Sequence, residues 1–126
     1  MKLFGKVVAC VLISLYAFFS TKTNAEAPIQ PKPQTIPEMI DFYAVKYSVS
    51  PKVMTRVISC ESNFNITAHN SRREDSWGLA QINLNAHKNI SIEQATDPDF
   101  AIKFLAENLS RGEGHIWTCY RSIYGV

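Results

Sequence analysis

Hydrophobic positions recur at helical spacing in three stretches of this chain, and nowhere do they alternate long enough to predict a substantial strand. Ile36, Ile40, Tyr43, Ala44 and Tyr47 fall on one side of a first helix. Thr35 can cap it, Glu38 stands at the reciprocal position, and Pro37 is tolerated in a first turn. Ser50-Pro51 opens a second helix, with Val53, Met54, Val57, Ile58 and Glu61 on neighbouring faces. Asp97-Pro98 opens the longest, lined by Phe100, Ala101, Phe104, Leu105 and Leu109, with Gly112 as a natural stop. Shorter signals surround these. Ser91-Ile92-Glu93-Gln94 is a second capping box, so a brief helix should run through Ala95. Ile116 to Tyr124 reads as a last aromatic helix or turn. Residues 63–75 are polar and aperiodic, a loop with room for a short strand or two, and a short helix is expected to start at Gly78. The pattern predicts one small, mainly helical domain of the α+β class, with an irregular middle and little or no β-sheet.

The first 34 residues stand apart. Met1-Lys2 and Lys6 form a short basic region, an apolar run follows over residues 7–19, and Thr23-Asn24-Ala25 offers small residues for a cut before Glu26. That order predicts a secretory signal peptide over residues 1–25. The apolar run falls short of the roughly 20 residues that a membrane span needs. No stable membrane insertion is therefore expected once the signal is cut. Pro28, Pro31 and Pro33 make residues 26–34 a semi-rigid linker, and residues 35–126 are left for the domain.

Export changes the charge and cysteine arithmetic. Of 13 Lys and Arg residues, Lys2, Lys6 and Lys22 leave with the signal, so ten face 11 acidic residues in the mature chain. No nucleic-acid surface is implied. Cys10 also leaves. The two remaining cysteines, Cys60 and Cys119, suit one disulfide in an oxidising compartment, with two buried thiols as the alternative. His69, His87 and His115 stand too far apart to suggest a metal site, and no cofactor is expected.

Glu61 is the candidate for chemistry. It falls in the last turn of the second helix, beside the apolar stripe, where packing asks for no carboxylate. An ordinary Glu titrates near about 4.3 and is ionised at neutral pH. Apolar neighbours such as Val57 and Ile58, together with the carbonyl end of the helix, would keep this one protonated longer. A carboxylic acid of that kind is what protonation of a glycosidic leaving group requires. A surface Glu at a helix end is also common, so spacing alone leaves the role open.

Glu61-Ser62-Asn63-Phe64, followed by Ser76-Trp77-Gly78-Leu79-Ala80-Gln81-Ile82-Asn83, resembles the paired motif of soluble lytic transglycosylases, which share a fold with goose-type lysozymes. Asp97-Pro98 resembles the family's later helix start. The resemblance covers about residues 53–112. It implies a lysozyme-like fold and a periplasmic or secreted enzyme acting on peptidoglycan between N-acetylmuramic acid and N-acetylglucosamine. It makes Glu61 the acid and then the base of a reaction ending in a 1,6-anhydro sugar. Ser76, Gln81 and Asn83 would line the cleft. The family's Glu-Asn-x-x-x-Gly-x-x-Tyr stretch begins here as Glu107-Asn108, but its tyrosine is displaced to Tyr120, and the usual final Ala-x-Tyr-Asn-x-Gly turn is missing. Tyr120 is assigned to the site in its place.

Two other readings compete. A hydrolytic lysozyme would need a second carboxylate to activate water, for which Asp75 is the first candidate and Glu74 the next. A non-catalytic glycan-binding module would stack sugars on Trp77, Trp117 and Tyr120. A monomer is expected; envelope-spanning secretion machinery is a compatible partner, although no surface in the sequence names one.

Overall fold

The computed structural model describes residues 31–126. The expected signal peptide, residues 1–25, and the first part of the expected linker lie outside the described residues; residues 31–34 carry no regular secondary structure.

Helix boundaries follow local chemistry. In α1 (Ile36–Tyr47) the Thr35 hydroxyl accepts from Glu38 N, and the Glu38 carboxylate accepts from Thr35 N at 3.0 Å. The helix stops where Ser48 turns left-handed at φ 54°. Ser50 caps α2 (Pro51–Ser62), which ends at Asn63, φ 49°. Ser91 and Gln94 form a reciprocal box on α3 (Ile92–Thr96). Asp97 accepts from Phe100 N at 2.7 Å to start α4 (Pro98–Ser110). A 3-10 turn, Glu113–Ile116, leads into α5 (Thr118–Tyr124).

The middle of the chain is a small antiparallel sheet in the order β1 (His69–Asn70), β2 (Ser76–Trp77), β3 (Ile82–Asn83). His69 lies opposite Trp77, and Ser76 opposite Asn83. The helix expected at Gly78 does not form. Gly78 (φ 76°) and Gln81 (φ 48°) are both left-handed, which no right-handed helix accommodates. The Gln81 side-chain amide closes the turn instead, donating to Ala68 O at 3.1 Å and Gly78 O at 3.0 Å.

The core lies where α2, α4 and the sheet meet. Met54, Val57 and Ile58 from α2 pack with Ile102 and Leu105 from α4 and with Leu79 and Ile82 from the turn and β3, all fully buried. The first helix covers α4 through Ile40, Tyr43 and Ala44. Two phenols tie this contact: Tyr43 donates to Asp99 at 3.0 Å, and Tyr47 to Glu107 at 2.6 Å. Burial, then the Asp99 carboxylate, pushes Tyr43 up to about 12; the Glu107 hydrogen bond does the same for Tyr47. Both therefore remain protonated donors at neutral pH.

One glycine is fixed by both backbone and packing. A Cβ on Gly78 would stand 1.8 Å from the Ala95 carbonyl oxygen, at a φ that L residues adopt only with strain. Gly78→Ala is expected to destabilise the domain by at least about 2 kcal/mol, read as a lower urea midpoint with an unchanged slope.

Candidate active site

A cleft of about 590 Å³ lies beside this core, a size that suits a small-molecule or sugar subsite. Its lining draws on α2 through Glu61, on the sheet region through Glu74, Gln81 and Asn83, on α4 through Phe104 and Asn108, and on the C-terminal segment through Trp117, Thr118 and Arg121.

Glu61 is half-buried at the penultimate position of α2. The backbone N–H of Cys119 donates to its Oε1 at 3.0 Å. That donor is held by the Cys60–Cys119 disulfide, whose first half is the residue next to Glu61 (Cα–Cα 5.9 Å). Burial pushes the Glu61 carboxyl above its ordinary range. The Cys119 N–H pulls the other way, the Glu74 charge adds to the rise, and Arg121 offsets part of it. The net direction is upward, as a proton donor working near neutrality requires.

The two carboxylates that precede β2 have different partners. Asp75 immediately precedes β2 and is bound to the Trp77 side chain. Asp75 Oδ1 accepts from Trp77 Nε1 at 2.7 Å and lies 2.9 Å from His69 Nε2, and the His69 ring stacks on Trp77 at 3.7 Å. The His69 and Trp77 hydrogen bonds hold Asp75 below its ordinary value. It is not among the residues lining the cleft. Glu74 is, and its Oε2 accepts from Asn83 Nδ2 at 2.7 Å.

The other residues singled out from the sequence also find definite places. Gln81 lines the cleft, with its amide committed to the turn. Asn83 lines it too, and its Oδ1 accepts from Asn85 N and Ala86 N while its Nδ2 pins Glu74. Ser76 is 1% exposed, does not line the cleft, and its hydroxyl has no protein hydrogen-bond partner. Tyr120 also stands off the cleft. Its ring covers Gly114, where a Cβ would meet it at 2.6 Å, and tilts against Tyr124. Trp117 is buried, forms part of the cleft wall, and donates from Nε1 to Ala80 O at 2.7 Å, locking the C-terminal segment to the Gly-Leu-Ala-Gln turn. Of the three aromatic residues offered as a sugar-stacking surface, Trp117 alone reaches the cleft.

The family model for the Transglycosylase SLT domain matches residues 38–122. The chain belongs to that family. No curated protein and no solved structure matches it. Membership gives this SLT domain a lysozyme-like architecture and a transglycosylase-type glycan-cleaving function at the level of the family. The matched span runs from inside α1 to inside α5, so it takes in both Glu61 and the disulfide. Among the described residues of the SLT domain, no group of three or more His, Cys, Asp or Glu could hold a metal ion. No helix among them is long and apolar enough to cross a membrane.

Sequence reasoning missed Asn108, Glu113 and Arg121 as cleft residues, because each arrives from a distant part of the chain. It ranked Glu74 behind Asp75, whereas Glu74 lines the cleft and Asp75 does not.

Proposed function

We propose that this SLT domain is an extracytoplasmic lytic transglycosylase that cuts the β-1,4 bond between N-acetylmuramic acid and N-acetylglucosamine in peptidoglycan. The observation that carries the reading is the half-buried Glu61 carboxyl in the cleft, raised by burial and held at one oxygen by the Cys119 N–H. Oε1 is thereby occupied as an acceptor, which in this reading leaves Oε2 to carry the proton.

In this reading Glu61 gives that proton to the glycosidic oxygen as the C1–O bond breaks. The N-acetyl oxygen of the muramyl sugar stabilises the positive charge at C1. Ionised Glu61 then takes the C6 hydroxyl proton as O6 closes on C1. A 1,6-anhydro bond forms, Glu61 regains its proton, and no water is consumed. One carboxyl suffices because substrate atoms serve as nucleophiles. Incubating the mature protein with purified peptidoglycan tests this reading: soluble muropeptides should be released, and their absence would refute it.

Hydrolysis is a second reading, favoured by one observation: Glu74 shares the cleft with Glu61. An inverting hydrolase would place such a carboxylate about 6.5–9.5 Å from the acid to activate water. The two readings make opposite predictions for Glu74→Gln. If Glu74 acts only through its charge, removing it lets Glu61 ionise at lower pH. The alkaline limb of the pH–rate profile then moves down while the maximal rate largely survives. If Glu74 activates water, the rate falls at every pH, by about 100-fold or more.

A further inference from the structure

Arg121 is the basic side chain lining the cleft besides His87, and apart from its charge effect on Glu61 it has no part in the reaction proposed above. It sits on α5, two residues beyond the disulfide that fixes this segment to α2. Its Nη1 donates to the His115 carbonyl, and its Nη2 donates to Thr118 Oγ1 at 3.0 Å. Both acceptors are neutral. They orient the guanidinium without balancing its charge, and they use two of its five N–H donors.

The carboxylates lining the same cleft are otherwise engaged. Glu113 pairs with Arg111 at 3.0 Å. Glu74 is bound to Asn83 on the sheet side. Glu61 accepts from the Cys119 N–H. Among the described residues Arg121 makes no ion pair. A guanidinium pre-oriented in a concave site with donors to spare is built to receive a planar anion, and a carboxylate fits its fork in two parallel hydrogen bonds.

We infer that Arg121 is a specificity residue that binds a carboxylate carried by the muramyl side group of the glycan. The inference rests on the peptidoglycan reading and narrows it: the site should favour sugars bearing a carboxylate over neutral N-acetylated glycans. Two sources supply that group, the lactyl substituent itself and the peptide attached to it. In an intact strand the lactyl carboxyl is tied up in an amide bond, so only the peptide offers a free carboxylate.

Equilibrium binding to the mature protein carrying Glu61→Gln, which blocks turnover, tests the inference with three probes. These are N-acetylglucosamine tetramer, which has no carboxylate; amidase-stripped glycan tetrasaccharide, which exposes the lactyl carboxylate; and the same tetrasaccharide with its peptides. A charge-assisted hydrogen-bond pair should make a carboxylate-bearing probe bind about 10- to 100-fold tighter than the neutral tetramer. Preference for the stripped probe identifies the lactyl source, and preference for the peptide-bearing probe identifies the peptide. Adding Arg121→Met should bring the affinity ratio towards one, and Arg121→Lys should restore only part of it. An unchanged ratio in Arg121→Met, or equal weakening on all three probes, would overturn the inference while leaving the glycan reading intact. Binding of none of the probes by the Glu61→Gln protein would overturn both.

Discussion

Glu61→Gln is expected to reduce muropeptide release by about 100- to 10,000-fold, the usual contribution of a positioned general acid. The substitution keeps the shape of the side chain and an oxygen that can accept from Cys119 N. It removes the proton that the proposed mechanism delivers to the leaving group. The same variant should be more stable than the parent protein, and the sign follows from the pKa. Burial raises the carboxyl in the folded state, so the unfolded chain ionises first as pH increases. Stability is therefore full below the unfolded value of about 4.5 and falls as pH rises through the folded value. Glutamine has no charge to bury. The gain should appear above that window and vanish below it, in thermal melts taken across pH. A variant that lost activity through misfolding would melt lower at every pH. Wild-type activity should fall on the alkaline side as Glu61 ionises.

Cys119→Ser should have the largest effect on stability. The disulfide spans 59 residues of sequence, and closing a loop of that length constrains the unfolded chain by about 4 kcal/mol in the chain-entropy model. For a domain of this size that is a large part of the total. The urea midpoint should fall well below that of the parent, and reductant should bring the parent to the same value. The bond also has a role at the site. It holds the strip from Trp117 to Arg121 that supplies the Cys119 N–H to Glu61, part of the cleft wall and the guanidinium. The folded fraction of Cys119→Ser should therefore keep a reduced rate, because the backbone N–H and Glu61 are still present. Complete loss of turnover in the folded fraction, with the fold intact by circular dichroism, would mean that the segment does more than position the acid.

The helices were legible because each carries its boundary in its own sequence. Thr35 with Glu38, Ser50 with Pro51, Ser91 with Gln94 and Asp97 with Pro98 are local signals, and each cap forms as written. The position of Glu61 in the last turn of α2 followed from the same helical count. The pairing of Cys60 with Cys119 followed from there being no third cysteine past the expected signal. What escaped depended on backbone angles or on distant partners. The Gly78–Gln81 turn has helix-compatible residues, and only the left-handed φ at its two ends excludes a helix. Glu74 lines the cleft where Asp75 does not, because Asp75 is bound to His69 and Trp77, partners that come together only in the folded sheet. Tyr120 looked like a replacement for a missing cleft tyrosine, but a glycine six residues earlier gives its ring a bed away from the cleft. Arg121 carried no local signal. Its relation to Glu61 exists only once α5 is folded back onto α2.

The central claim is that Glu61 cuts the glycan by proton transfer alone, with the substrate's own C6 hydroxyl as nucleophile. Mass spectrometry of purified peptidoglycan digested by the wild-type protein, beside Glu61→Gln, tests it most directly. The expected result is a set of muropeptides each lighter by one water than the hydrolytic product, with none above background from the variant. Products with reducing muramyl ends, or an unchanged anhydro yield from Glu61→Gln, would contradict it.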